Sequence, residues 1–256
     1  MKKTAALLLA LALLLACLTV PAGASFESEY KSYKGEWAGG GRSPIKMKLE
    51  GDTLTFDYSP VFYFSKKFGL AEEDKARIIA ECVAGFRRWA GVYEINGREL
   101  TVVVDVHPSE AGSLLASNVR VIPDNSLIPN AMVPGCLLWW PSSPFLAMYR
   151  PMDDPRRRNF ESTAMHEFGH VLGLFDAYGY RSHFYGVPFL ADLADRLLPE
   201  APPDRAPRDS VMYSGRDIRP KEIEMLLWAW KHRRLQLYTK SVLTWLGAEV
   251  SPAFSE

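Results

Sequence analysis

His166-Glu167-Phe168-Gly169-His170 places two imidazoles four residues apart with a carboxylate beside the first, and Gly173 and Asp176 follow. On a helix, residues i and i+4 share a face, so both imidazoles can point at one spot. That spacing suits a zinc ion that keeps one coordination position for water. Glu167 sits beside the same face and can reach the water without binding the metal, which fits a general base. Gly173 can adopt the left-handed conformation that ends a helix sharply. The turn then carries Asp176 back as third ligand, a carboxylate oxygen at about 2.0–2.2 Å being an ordinary zinc contact. Two rivals for that place exist: His183 further along the chain, and Glu222 or Glu224 on the last long helix.

This segment resembles the zinc-ligand stretch of the metzincin metallopeptidases, in the snapalysin-like branch whose third ligand is aspartate. Metzincins also share a methionine turn beneath the zinc, and Ser210-Val211-Met212-Tyr213 fits that place ahead of an expected helix. The resemblance covers roughly residues 50 to 240, with clear motifs only between His166 and Met212. It implies an α+β fold of two lobes: a mixed sheet with helices, an active-site helix, and a cleft between the lobes. It makes Met212 a soft structural floor to the site. Tyr213 is a candidate oxyanion donor. Here the chain departs from astacins and serralysins, whose tyrosine lies two residues after the methionine, where this chain has Ser214.

The elements that must position these residues can be read from periodicity. Ile45 to Leu49 and Thr53 to Tyr58 form a hairpin turned at Gly51-Asp52. Ala71 to Trp89 is an amphipathic helix, with Ile79, Cys82, Val83, Phe86 and Trp89 at helical spacing. Leu100 to Val106, Asn118 to Pro123 and Gly135 to Trp140 read as strands; by analogy with the family, the last borders the cleft and pairs with an extended substrate. Asn159 caps a helix that runs to about Leu172, whose core face is Met165, Phe168 and Leu172. Tyr178 to Asp209 is a proline-rich connection with a short helix over Ala191 to Leu198. Asp217-Ile218-Arg219-Pro220 opens the last helix, with Ile223, Leu226, Leu227 and Trp230 as its apolar stripe. Tyr178 and Tyr185 read as packing residues, His107 as a turn residue, and His232 as a helix C-terminal cation.

The chain opens with Lys2-Lys3 and an apolar run from Ala5 to about Val20, which reads as an export signal. Ala22-Gly23-Ala24 offers cleavage after residue 24. Leu14-Leu15-Ala16-Cys17 offers a competing lipoprotein signal, with a lipid anchor on Cys17. Residues 1–24 are thus a signal peptide, 25–44 a flexible leader, and 45–256 one metallopeptidase-like domain, secreted or anchored at the bacterial cell envelope. Removing residues 1–24 takes the formal charge from zero to −2 through the loss of Lys2 and Lys3, so nothing points to nucleic acid or an anionic membrane surface as partner. With 48% hydrophobic residues and seven tryptophans, the chain can bury a full core. A Cys82–Cys136 disulfide is permitted outside the cytoplasm, but a domain this size needs no staple, and two buried thiols are the favoured reading.

The expected function is zinc-dependent endopeptidase action on a protein or peptide substrate by a monomer. The alternatives are a non-catalytic, zinc-stabilised surface or envelope binding protein and, third, a zinc hydrolase of non-peptide amides.

Overall fold

The computed structural model describes residues 25–30, 37–38, 45–66, 69–113, 117–123, 131–132, 145–149, 160–177, 210–214, 217–238, 244 and 247–254. In chain order their elements are α1 (Phe26–Tyr30), β1 (Trp37–Ala38), β2 (Ile45–Glu50), β3 (Thr53–Tyr58), β4 (Val61–Phe64), α2 (Glu72–Arg87), β5 (Gly91–Ile95) and β6 (Arg98–Val106). There follow β7 (Ser109–Glu110), β8 (Val119–Pro123), β9 (Ala131–Met132), β10 (Phe145–Tyr149), α3 (Phe160–Leu172), α4 (Val211–Ser214), α5 (Pro220–His232), β11 (Gln236–Leu237) and β12 (Glu249–Val250). The strands form two five-stranded sheets, ordered β1-β2-β3-β6-β5 and β7-β4-β8-β10-β9, and a small β11-β12 pair. This mixed arrangement is compatible with an α+β class.

Two hairpins make four strands of the first sheet, and β1 adds to β2 as the fifth. β2 and β3 turn at Gly51, whose φ is 58°, in the register Ile45↔Tyr58 to Glu50↔Thr53. Side chains alternate across a strand, so Ile45, Met47 and Leu49 face the core with Leu54, Phe56 and Tyr58. β5 and β6 turn at Asn96-Gly97, both at positive φ, which is the backbone a two-residue hairpin favours. Parallel pairing of β3 with β6 joins the hairpins, and the crossover contains β4 and α2. Parallel neighbours require such a long connection. β4 itself pairs with β8 in the second sheet, so the chain changes sheets at Ser59-Pro60.

α2 carries Glu72, Glu73 and Asp74 in its first turn, where negative charge suits the helix dipole. Its buried stripe is Ile78, Cys82, Val83, Gly85 and Phe86; Ile79, expected there, is only half-buried. Trp89 lies past the helix end, fully buried, and its Nε1–H donates to the Met165 carbonyl at 2.8 Å. A Cβ on Gly85 would stand 2.2 Å from the Glu161 carbonyl oxygen and 2.9 Å from the Met165 nitrogen. α2 and α3 therefore cross backbone against backbone, and only glycine permits that approach. Cys82 is a free, buried thiol whose pKa burial pushes up.

The expectation of a flexible leader over 25–44 is corrected at its start. Residues 26–30 form α1, and Phe26 and Tyr30 are fully buried. The helix is tied to the β2–β3 turn: the Phe26 N–H donates to Asp52 Oδ1 at 2.9 Å, and the Gly51 N–H to Glu27 Oε2 at 2.9 Å. Arg98 covers the Phe26 ring at 4.1 Å. Apolar anchors only four residues apart are too few to show as periodicity, which is why composition alone read this stretch as a leader. The expected strand over Gly135 to Trp140, the Asn159 cap, Cys136 and the helix over Ala191 to Leu198 lie outside the described residues, as do residues 1–24. Among the described residues, no helix is long and apolar enough to cross a membrane.

Candidate metal centre

α3 is anchored by the face opposite its histidines. Phe168 packs on Tyr58 at 5.0 Å, Phe86 at 5.1 Å, Phe56 at 6.4 Å and Trp89 at 6.5 Å between ring centroids. Met165 and Leu172 are buried beside it. With that stripe fixed, His166 and His170 emerge together, their rings 5.0 Å apart and nearly perpendicular.

The helix then stops at Gly173, whose φ is 104°. The Leu174 N–H donates to the Gly169 carbonyl at 2.9 Å and the Gly173 N–H to the His170 carbonyl at 3.1 Å, the paired bonds of a Schellman cap. Beyond the cap, main-chain bonds hold the strand-like stretch on both sides. Gly173 O and the Phe175 N–H pair with Gln236 at 2.9 and 3.0 Å, and the Ala177 N–H donates to Met212 O at 2.9 Å. Asp176 is thereby fixed beneath the histidines, with its side chain 2% exposed.

Donor atoms of His166, Glu167 and His170 gather within 4.8 Å of one another, a group that could hold a metal ion. Asp176 comes closer still: its Oδ1 lies 3.0 Å from His166 Nε2 and 3.4 Å from His170 Nε2. Ligand atoms at the corners of a zinc tetrahedron stand roughly 3.3–3.6 Å apart, given bonds of about 2.0–2.2 Å. The observed spacings are close to that edge.

The other face of each ring decides what the site can bind. His166 Nδ1 lies 2.7 Å from the Val211 carbonyl and His170 Nδ1 lies 2.9 Å from the Leu174 carbonyl. A carbonyl can only accept, so each Nδ1 carries the proton and, in neutral rings, each Nε2 turns a lone pair toward the Asp176 oxygen. Lone pairs on three atoms this close repel unless a cation stands among them. Without a metal, protons serve. Burial lowers the His170 pKa, but the Asp176 carboxylate more than reverses this and lifts it to about 9; His166 is raised by the same balance. Two carboxylates facing two neutral imidazoles leave −2 in a closed space, which a divalent ion neutralises. The residues therefore fit a divalent metal with histidine and carboxylate ligands.

Met212 is fully buried against the backbone of α3. A Cβ on Gly169 would lie 2.3 Å from its sulfur, so the glycine inside the motif makes room for that side chain. The turn bearing Met212 is stitched from below. Ser210 Oγ accepts the Met212 N–H at 3.1 Å and donates to Glu222 Oε1, which also accepts from Tyr238 OH at 3.1 Å.

Of the rival ligands, Glu222 is thus engaged by Ser210, Tyr238 and the Arg219 N–H, and Glu224 reaches Asn96 at the surface. His183 lies outside the described residues. His107 stands 3.8 Å from Asp57, and His232 bonds Glu249 at 2.8 Å. Tyr213 is half-buried against the core. Sequence reasoning missed the two carbonyl partners, the role of Gly169 and the Ser210–Glu222–Tyr238 cluster. Only Gly169, a helix-interior glycine with its cost of about 1 kcal/mol, left a visible signal.

The His-Glu-x-x-His helix beside a mixed sheet is compatible with a metzincin; no family model, curated protein or solved structure matches the chain.

Proposed function

We propose that this chain is a metzincin-like zinc endopeptidase in which His166, His170 and Asp176 hold the ion and Glu167 is the general base. One observation carries the reading: two main-chain carbonyls fix both imidazoles so that their Nε2 atoms converge on one Asp176 oxygen. Asp176 is assigned as ligand ahead of Glu167 because its oxygen already stands at ligand spacing from both rings. When bound, zinc supplies Lewis-acid polarisation of a carbonyl and lowers the pKa of its water to about 7.

Glu167 is buried at the same point, its side chain directed among the donor atoms rather than into solvent. It accepts the proton of the attacking water and returns it to the departing amine, so its carboxylate must be ionised at the start. Met212, fully buried against Gly169 of the same helix as the histidines, would be the structural floor of the site. Tyr213 is the nearest candidate in sequence for a donor to the developing oxyanion. We further propose export through residues 1–24, with either cleavage after Ala24 or lipidation of Cys17, and a protein or peptide substrate.

The test pairs two variants with metal analysis on the same samples. Glu167→Ala is expected to retain zinc and lose nearly all cleavage of a peptide mixture; Asp176→Ala is expected to lose zinc. A Glu167→Ala protein that cleaves at the wild-type rate refutes the mechanism. Wild-type protein that binds zinc yet cleaves nothing favours the non-catalytic reading.

A further inference from the structure

Glu222 is fully buried on α5, fifty-six positions beyond His166 in the chain, and both oxygens of its carboxylate accept hydrogen bonds. Oε2 accepts the Arg219 N–H at 2.7 Å, which caps the start of α5. Oε1 accepts from Ser210 Oγ and from Tyr238 OH. Ser210 Oγ in turn accepts the Met212 N–H, and the residue between them, Val211, offers the carbonyl that receives His166 Nδ1–H. An unbroken line of bonds therefore runs from the helix cap to the imidazole. Met212 O, on the same turn, holds the Ala177 N–H beside Asp176.

Burying a carboxylate is costly unless every oxygen is bonded, and the cost is hard to justify for capping alone, which an exposed side chain does as well. We propose that Glu222 is a positioning residue of the metal centre, holding the Ser210–Met212 turn so that Val211 orients His166 and fixes its Nδ1–H tautomer. The proposal rests on the zinc reading above only for its metal readout. Partners that orient a ligating histidine typically matter about 10- to 100-fold in metal affinity.

The experiment uses the full chain and reads two quantities: zinc affinity by competition with a chromophoric chelator, and the His166 tautomer by nitrogen-15 NMR of the metal-free protein at a pH alkaline enough to leave both imidazoles neutral, since both pKa values are raised. Glu222→Ala and Ser210→Ala are each expected to weaken zinc binding about 10- to 100-fold and to lose the pure Nδ1–H signature. The double variant is expected to be no weaker than the worse single one, because both cut the same line of bonds. Glu222→Gln keeps an oxygen for Ser210 and Tyr238 and is expected to restore most of the affinity, although its amide suits the Arg219 N–H poorly. Glu224→Ala, at the surface, serves as control.

A folded Glu222→Ala protein with wild-type zinc affinity and an unchanged His166 tautomer overturns the proposal. Should that variant fail to fold, the same two results in Ser210→Ala overturn it. If the wild-type chain binds no zinc while Glu222→Ala still scrambles the tautomer, the peptidase reading falls and the positioning role stands.

Discussion

Gly169→Ala sets two known effects against each other at one atom. In a helix interior, alanine is better than glycine by about 1 kcal/mol, so an unobstructed site would gain stability. Here the new methyl would stand 2.3 Å from Met212 Sδ, 3.1 Å from Trp89 Cζ2 and 3.2 Å from Met212 Cε. Ordinary contact is about 3.5–4.0 Å, so the overlap with sulfur exceeds roughly 1 Å. Met212 cannot simply swing away, because its side chain is fully buried and its backbone is bonded at Ser210 and Ala177. Overpacking of this kind costs about 1–3 kcal/mol. The net expectation lies between no change and a loss of about 2 kcal/mol, at about 2–4 °C of Tm per kcal/mol for a domain of this size. The background tests the cause. In Met212→Ala protein the obstruction with sulfur is gone, and the same Gly169→Ala change should stabilise. The assay is denaturant unfolding of four proteins, wild type, both single variants and the double, in chelator so that metal binding adds nothing. A coupling energy of about 1–3 kcal/mol is expected. If Gly169→Ala raises stability equally in both backgrounds, the methionine is not packed against the helix as described.

Two further outcomes follow from the geometry. The folded-state pKa of His170, raised to about 9 from 6.5, gives the metal-free protein stability that is fully present below about pH 6.5 and is lost as pH rises through about 9. Calorimetry of chelated protein should show that fall, whereas metal-loaded protein should not, and zinc uptake at pH 7.5 should release protons that are absent at pH 10. Phe26→Ala should destabilise by about 3–5 kcal/mol in chemical denaturation, the scale of a buried aromatic, because α1 is part of the core; a loss under about 0.5 kcal/mol would return residues 26–30 to the status of a leader.

The local half of the site was readable because helix geometry is local. His166 and His170 share a face, Met165, Phe168 and Leu172 share the opposite one, and Gly173 has the positive φ that its place suggested. The hairpin at Gly51-Asp52 and the strand to Val106 were equally legible from alternation and valine content. Strand β5 was missed although Asn96-Gly97 is a strong hairpin signal, and β4 was missed although Val61-Phe-Tyr-Phe is rich in strand-favouring side chains. The parallel pairings β3–β6 and β4–β8 leave no local trace, since partners forty or more residues apart are matched only in space. One member of the α2 stripe differs from expectation, Ile78 being buried in place of Ile79, because two adjacent isoleucines satisfy the same period almost equally well; Cys82, Val83 and Phe86 are buried as expected.

At Nδ1 both imidazoles meet peptide oxygens, those of Val211 and Leu174. Every residue type owns such an oxygen. Substitutions at either position can alter bulk and packing without deleting the acceptor itself, so the protonation pattern of the rings is sheltered from single-codon change at the places that enforce it. Drift at Val211 and Leu174 is restrained by volume alone, and the vulnerable points move outward, to whatever keeps those two peptide planes at their present tilt.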